Sequence, residues 1–223
     1  MITFIYSVYF SLGGFMEKEN LTIDHISKNL NSSYINKLQY PIGSSAVTIP
    51  LVKRDDALHV LFEKRSNNLH FQPGEICFPG GRIEDGESPQ DAAMRELCEE
   101  LFPAGNGKDH IKLLSSMRPM IGPAGSTVFP YVVLLEDYNS SFSKDEVETV
   151  FSYSLDELLL SNPSYSTMTR KSIPSDSFPF EMIPDGKNYK WHSQKLDMWF
   201  YETDNGIIWG FTARLLHLFL ESI

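Results

Sequence analysis

The stretch FPGGRIEDGESPQDAAMRELCEEL, residues 78–101, decides how this chain is read. It divides into a turn and a helix. Pro79-Gly80-Gly81 offers a backbone with little side chain, able to pass close to a neighbouring group. Ser88-Pro89 marks a helix start. A serine hydroxyl accepts the free N–H groups of a first turn, proline suits the first helical position, and Asp91 adds a favourable charge there. The helix predicted over 89–101 carries Glu96, Glu99 and Glu100 at i, i+3 and i+4, so three carboxylates share one face while Ala92, Ala93 and Leu97 turn inward.

Like charges at that spacing repel by about a few tenths of a kcal/mol per pair. A hard divalent cation converts the repulsion into binding, since Mg²⁺ takes carboxylate oxygens and keeps waters and substrate phosphate oxygens as its other ligands. An acidic stripe on its own is more often a solvated helix face, so the residues around it decide between the two.

Gly81, Glu87, Arg95, Glu96, Leu97, Glu99 and Glu100 fall at the spacing of the Nudix box, G-x5-E-x7-R-E-U-x-E-E-x-G-U with U aliphatic, and the segment resembles it at seven of nine fixed positions. Phe102 stands where glycine is expected and Pro103 where an aliphatic is expected; both lie at the helix exit, so an altered C-terminus is expected there. The resemblance implies a Nudix fold, an α/β/α sandwich around a mixed β-sheet. It also implies hydrolysis of a phosphoanhydride bond with Mg²⁺ or Mn²⁺. Carried over by position, Glu96 and Glu100 are the principal metal ligands, and Glu99 is a further ligand or the activator of water. Arg95 orients carboxylates and pairs with Glu87. Gly80 and Gly81 are candidates for substrate contact, and their carbonyls for extra ligands.

Working outward, LFEKRSNNLHFQPGEICFPGG (61–81) is similar to the segment that marks coenzyme A diphosphatases, approximately L-L-T-x-R-S-x3-R-x3-G-x3-F-P-G-G. Leu61, Arg65, Ser66, Gly74, Phe78, Pro79, Gly80 and Gly81 match; Phe62, Glu63, His70 and Gln72 depart. DEVETVFSYSLDELL (145–159) and IIWGFTARLLHLFL (207–220) resemble further parts of that subfamily, so the likeness runs from about residue 45 to 220. It implies cleavage of CoA or acyl-CoA to 3′,5′-ADP and 4′-phosphopantetheine or its acyl form. Arg65, Ser66 and His70 become candidate substrate contacts. Arg65 is weighed evenly against a surface salt bridge, and a lone His such as His70 is more often a local hydrogen-bonding residue. Glu146 is a candidate base or ligand arriving from a loop, or else an exposed strand-end carboxylate. Trp209 and Arg214 are assigned to packing and helix positioning.

The rest of the chain reads as one α/β layered domain over 41–223. Strands are expected at 45–53 and 57–64 as a hairpin turned at Arg54-Asp55-Asp56, then at 75–78, 110–117 and 127–136. Residues 146–160 read as a strand turning into a short helix, and 161–190 as an irregular surface excursion. Further strand pieces are expected at 178–183, 187–192 and 197–201, and a helix at 208–222 with Ile208, Phe211, Leu215, Leu218 and Phe219 on one face. Residues 16–40 are expected to be helical. Met1–Phe15 is apolar without Lys or Arg. Leu12–Met16 back-translates to a ribosome-binding sequence before a start codon, so native translation is expected to begin at Met16; a flexible or membrane-associating N-terminus is the alternative.

With 29 acidic against 19 basic side chains, the net charge of −10 argues against broad nucleic-acid binding and leaves a small anionic substrate open. Cys77 and Cys98 form no CxxC pair, which argues against zinc and suits reduced thiols in the cytoplasm. No membrane partner is expected, and a homodimer is a candidate assembly. Two other functions stay open: a Nudix hydrolase of NADH, ADP-ribose or a nucleotide sugar, and a non-catalytic Nudix-fold binding module, against which the intact Glu96, Glu99 and Glu100 argue.

Overall fold

Short apolar and alternating runs between residues 45 and 154 build a central sheet of eight strands. They are β1 (Ser45–Arg54), β2 (Ala57–Arg65), β3 (Ile76–Cys77), β4 (Gly80–Arg82), β5 (Ile111–Ser116), β6 (Met120–Ile121), β7 (Thr127–Leu135) and β8 (Val147–Ser154). The computed structural model describes residues 43–223 apart from 106, 123 and 124. The readings of 1–15 and 16–40 lie outside the described residues.

β1 and β2 form the expected hairpin, with Asp55 and Asp56 at φ 47° and 63° in the turn, a left-handed geometry that Asp tolerates. β1 also pairs in parallel with β7, and every other pairing in the sheet is antiparallel, so the sheet is mixed. The strand order is β3-β2-β1-β7-β5, with β4 on β1, β6 on β7 and β8 on β2.

The pleat sends neighbours to opposite faces. Ile49, Leu51, Val60 and Phe62 face one side, where they pack with Ala213, Leu215, Leu216 and Phe219. Val52, Leu61, Val133 and Leu135 face the other, where they meet Leu97, Leu101 and Phe102. The second face is covered by helix α1 (Pro89–Leu101), and Ala46, Ala92 and Ala93 let it approach closely. The first is covered by α3 (Gly210–Leu220), with Leu158 of the short helix α2 (Leu155–Leu160). This is the expected α/β/α sandwich around a mixed sheet.

Both ends of α1 follow from its sequence. Ser88 Oγ accepts the Asp91 N–H at 3.1 Å, and Pro89 sits in the first turn. At the exit, Phe102 adopts φ −128°, a conformation that does not call for glycine, and its ring is buried against Tyr138 and His110. The departure from the box there exchanges a flexible cap for core packing. α2 opens with the reciprocal Ser154–Glu157 capping box.

The C-terminal third differs from expectation in four places. Residues 164–171, read as irregular, form strand β9 (Ser164–Lys171). It pairs with β10 (Ser193–Thr203), which is longer than the expected 197–201 and continues to β11 (Gly206–Ile208) in a separate three-stranded sheet. The pieces at 178–183 and 187–192 are loops with short 3-10 turns at Phe180–Met182 and Gly186–Asn188. Ile208 belongs to β11, and the final helix begins two residues later.

Candidate active site

α1 presents the three carboxylates in graded burial: Glu100 is 2% exposed, Glu96 is partly buried and Glu99 is at the surface. The Gly80 N–H donates to Glu100 Oε2 at 2.9 Å, which ties the 79–81 turn to the helix. Gly81 lies so close to Glu96 that any β-carbon would overlap its carboxylate. The two glycines are therefore required by close approach: Gly80 against the β1 backbone, Gly81 against the acidic face.

Arg95 organises the exposed side of this face. Its Nε and Nη2 donate to the two oxygens of Glu87 at 2.9 and 3.1 Å, a bidentate fork. Nη1 donates to Glu96 Oε1 at 2.9 Å and Glu99 Oε2 at 3.2 Å, and Nη2 also reaches the Arg82 carbonyl at 3.0 Å. The fork holds the Glu87 carboxyl below its usual range. Burial works the other way deeper in. It raises the proton affinity of Glu96, and that of Glu100 more strongly, with neighbouring carboxylates adding to both.

Two further carboxylates reach this group from outside the helix. Glu146, on the loop before β8, is near enough for its charge to raise the proton affinities of Glu63, Glu96 and Glu100. The sequence singled it out, and the structure brings it to the cluster. Glu63 of β2 is 1% exposed; burial pushes its carboxyl up to about 7. It was noted only as a departure from threonine, although a charged residue next to Leu61 and Phe62 in a strand buried on both faces was a usable signal.

The donor set suits a hard divalent cation. Glu100 is buried among like charges, and Glu63 Oε2 is buried with no hydrogen-bond partner among the described residues. Among these residues no three His, Cys, Asp or Glu side chains converge with ligand geometry, and Arg95 occupies an oxygen of Glu96 and one of Glu99.

Beside the acidic face opens a cavity of about 860 Å³, of a size that takes a nucleotide-bearing ligand. Arg65, Gln72, Phe78, Gly80 and Gly81 line it from the 61–81 segment, and Trp209, Phe211 and Arg214 from the segment at α3. Met168, Arg170, Asp197 and Met198 line it from β9 and β10, elements the sequence left as surface excursion or assigned no part in a site. Arg65 thus reaches the cavity while its Nε donates to the Phe71 carbonyl at 3.4 Å. Trp209 and Arg214, assigned by sequence to packing and helix positioning, both line it, and Trp209 makes no side-chain cap bond to α3. Two candidates are not brought there. Ser66 is buried; its Oγ accepts the Asn68 N–H at 3.3 Å and its own N–H donates to the Glu146 carbonyl at 2.8 Å, so it anchors the Glu146 loop. His70 is exposed on the bend beyond, outside the lining. Cys77 and Cys98 are free thiols. Among the described residues no helix is long and apolar enough to cross a membrane.

The chain is similar to known proteins. A family model described as the NUDIX domain matches residues 44–172. "Nudix hydrolase 3" of Caenorhabditis elegans is 30% identical over 205 residues, covering 85% of this chain and 80% of its own. The peroxisomal coenzyme A diphosphatase NUDT7 of Mus musculus is 28% identical over 177 residues, covering 76% and 74%. Among solved structures, a C. elegans Ap4A hydrolase binary complex aligns with a TM-score of 0.43 at 19% identity, over 52% of this chain and 83% of that one.

Proposed function

This chain belongs to the Nudix hydrolase family, and from that premise we propose that it hydrolyses the diphosphate of coenzyme A or acyl-CoA to 3′,5′-ADP and 4′-phosphopantetheine or its acyl form. One observation carries the choice of substrate. The two segments similar to coenzyme A diphosphatases, 61–81 and 207–220, are remote in sequence yet line one cavity, next to the acidic helix. The coenzyme A diphosphatase among the relatives points the same way.

Each group has a task in this reading. Glu96 and Glu100 hold Mg²⁺ or Mn²⁺, with Glu99 as a further ligand or as the group that takes the proton of the attacking water. Bound there, the divalent ion supplies charge neutralisation at the diphosphate. Glu146 is the second candidate for the proton. Arg95 keeps the acidic face in register through Glu87 and the Arg82 carbonyl. Arg65, on the cavity wall, offers a planar guanidinium to phosphate oxygens. Gly80 and Gly81 let the backbone lie against the reacting groups. Unpaired Cys77 and Cys98 suit a reducing compartment, the cytoplasm being the simplest.

Another nucleoside diphosphate derivative is the second reading, favoured by one observation: His70, where the subfamily segment has Arg, adds no cation to the cavity. Turnover of CoA, acetyl-CoA, NADH, ADP-ribose and a nucleotide sugar with Mg²⁺ and with Mn²⁺ separates the two. CoA or its thioester is expected to give the highest kcat/KM, and intact CoA alongside cleaved NADH or ADP-ribose would overturn the assignment. Glu100→Gln is expected to abolish turnover of every substrate, and near-wild-type activity would contradict the metal assignment.

A further inference from the structure

β2 alternates across the sheet. Val60 and Phe62 point to the α3 side, and Leu61 points to the α1 side. Glu63 follows Leu61 by two positions, so it faces α1, the helix that carries Glu96 and Glu100. Cys77, its cross-strand partner in β3, lies on the same face, and the Cys77 thiol donates to Glu63 Oε1 at 3.2 Å. The other oxygen, Oε2, is buried with no hydrogen-bond partner among the described residues. Of the neighbouring charges, Glu63 has the largest influence on Glu100.

A buried carboxylate with one oxygen unsatisfied, set against a second buried carboxylate, is a destabilising arrangement for a protein alone. A threonine at this place could have donated a hydrogen bond without a charge. Glutamate adds a buried, unpartnered oxygen on the face of β2 that looks to α1, away from the guanidinium of Arg95, which bonds Glu87, Glu96 and Glu99. Among the described residues the hydrogen bonds to the two interior carboxylates come from the Gly80 N–H and the Cys77 thiol, while Arg65, two positions along β2, is the cation whose charge acts on Glu63 from outside that pair.

We infer that Glu63 is a ligand for a divalent cation held between it and Glu100, a strand-borne contribution to the metal site in addition to the helix carboxylates. This rests on the metal-dependent reading of the acidic helix. Cys77 then serves as a positioning residue, fixing one oxygen of Glu63 so that the other is presented to the ion. The ion satisfies Oε2 and relieves the repulsion between the two buried carboxylates.

The probe is Mn²⁺ alone, titrated into the full chain by calorimetry or by the loss of its free-ion paramagnetic signal. Wild type is compared with Glu63→Gln, which keeps shape and removes charge, and with Glu63→Thr. Both variants are expected to weaken Mn²⁺ binding at least tenfold and to reduce the rise in melting temperature on adding Mn²⁺, and metal-free Glu63→Gln is expected to melt above wild type at pH 8. Mn²⁺ affinity within twofold of wild type in a folded variant would overturn the inference. Glu100→Gln, run alongside, separates the two levels of the argument. If it abolishes binding while Glu63→Gln does not, only the role of Glu63 fails; if neither changes binding, the metal assignment of α1 fails with it. Wild-type crystals soaked in Mn²⁺ give a reading independent of variant folding. The anomalous peak is expected with a Glu63 oxygen at about 2.1 Å, in the range for small hard dications, and a peak without Glu63 in its coordination would overturn the inference.

Discussion

Gly80 and Gly81 are adjacent and have similar environments by sequence, yet the structure gives them opposite sensitivities to a methyl group. A β-carbon on Gly80 would overlap the Ala46 carbonyl and sit 2.7 Å from Val47 Cα. These are backbone atoms in the middle of the sheet and cannot yield. Gly80→Ala is therefore a stability variant, expected to cost about 3 kcal/mol, or about 10 °C in a domain of this size. The three atoms nearest to a β-carbon on Gly81, which it would overlap, all belong to the Glu96 carboxylate. That is the far end of a flexible side chain, so the carboxylate swings aside and its pairing with Arg95 is lost. An off-rotamer side chain costs about 1 kcal/mol and a partly exposed ion pair contributes up to about 1 kcal/mol. Gly81→Ala should thus melt only about 3–6 °C below wild type. Its rate should fall about 100-fold, because displacing a reacting group by about 1 Å has that scale of effect. Gly86→Ala is the control. It has open space around it and φ +83°, so strain of about 1–2 kcal/mol gives a similar loss of stability with no loss of rate. The assay is initial rate at saturating substrate and Mn²⁺, at 15 °C below each variant's melting temperature. A Gly81→Ala enzyme within threefold of wild type would refute the claim that the turn positions Glu96.

Three further expectations follow from the same geometry. Arg95→Lys keeps a charge but loses the fork to Glu87 and the reach to Arg82; kcat is expected to fall by about tenfold or more with KM little changed, and an unaltered kcat would remove the orienting role. Arg65→Ala should lower kcat/KM for the preferred substrate by about 10–100-fold, the worth of a charged hydrogen bond, whereas His70→Ala should leave it within threefold because His70 stands outside the cavity; a reversed pattern would relocate the phosphate contact. The third concerns metal-free protein. The folded pKa of Glu63 is raised to about 7 from about 4.5, so the native state holds an extra proton between those values and stability falls as pH rises through that window. Glu63→Gln removes this fall. Its melting temperature should match wild type near pH 4 and exceed it at pH 8 by the equivalent of roughly 3 kcal/mol. Parallel stability profiles for the two proteins would show that burial of Glu63 carries no such penalty.

How far the sequence could be read depended on whether a residue's neighbours are local. α1 was legible in full because its apolar and acidic faces are set by spacing within 13 residues and its cap, Ser88, immediately precedes them. The β1–β2 hairpin was legible for the same reason, through alternation and an Asp-Asp turn. β9 was not, because seven of its eight residues are exposed and no buried face imposes a period. The cavity escaped for a different reason: its walls come from six separate stretches, and only their pairing in the fold shows that Met168 and Arg170 line the same space as Arg65 and Arg214. Ser66 matched a motif yet serves as an anchor for the Glu146 loop, which a match of residue types cannot distinguish from a substrate contact. Glu63 was visible as an anomaly, but its meaning depends on Glu100, 37 positions later, lying on the same side of β2.

In the proposed function the acidic face of α1 and the adjoining cavity together cleave the diphosphate of CoA. The decisive experiment incubates the full chain with CoA and Mn²⁺, with and without EDTA, and identifies the products by mass spectrometry. The expected result is 3′,5′-ADP and 4′-phosphopantetheine in equal amounts, formed only when the metal is available. CoA left intact under conditions where NADH, ADP-ribose or a nucleotide sugar is cleaved would contradict the substrate, and equal amounts of product with and without EDTA would contradict the mechanism.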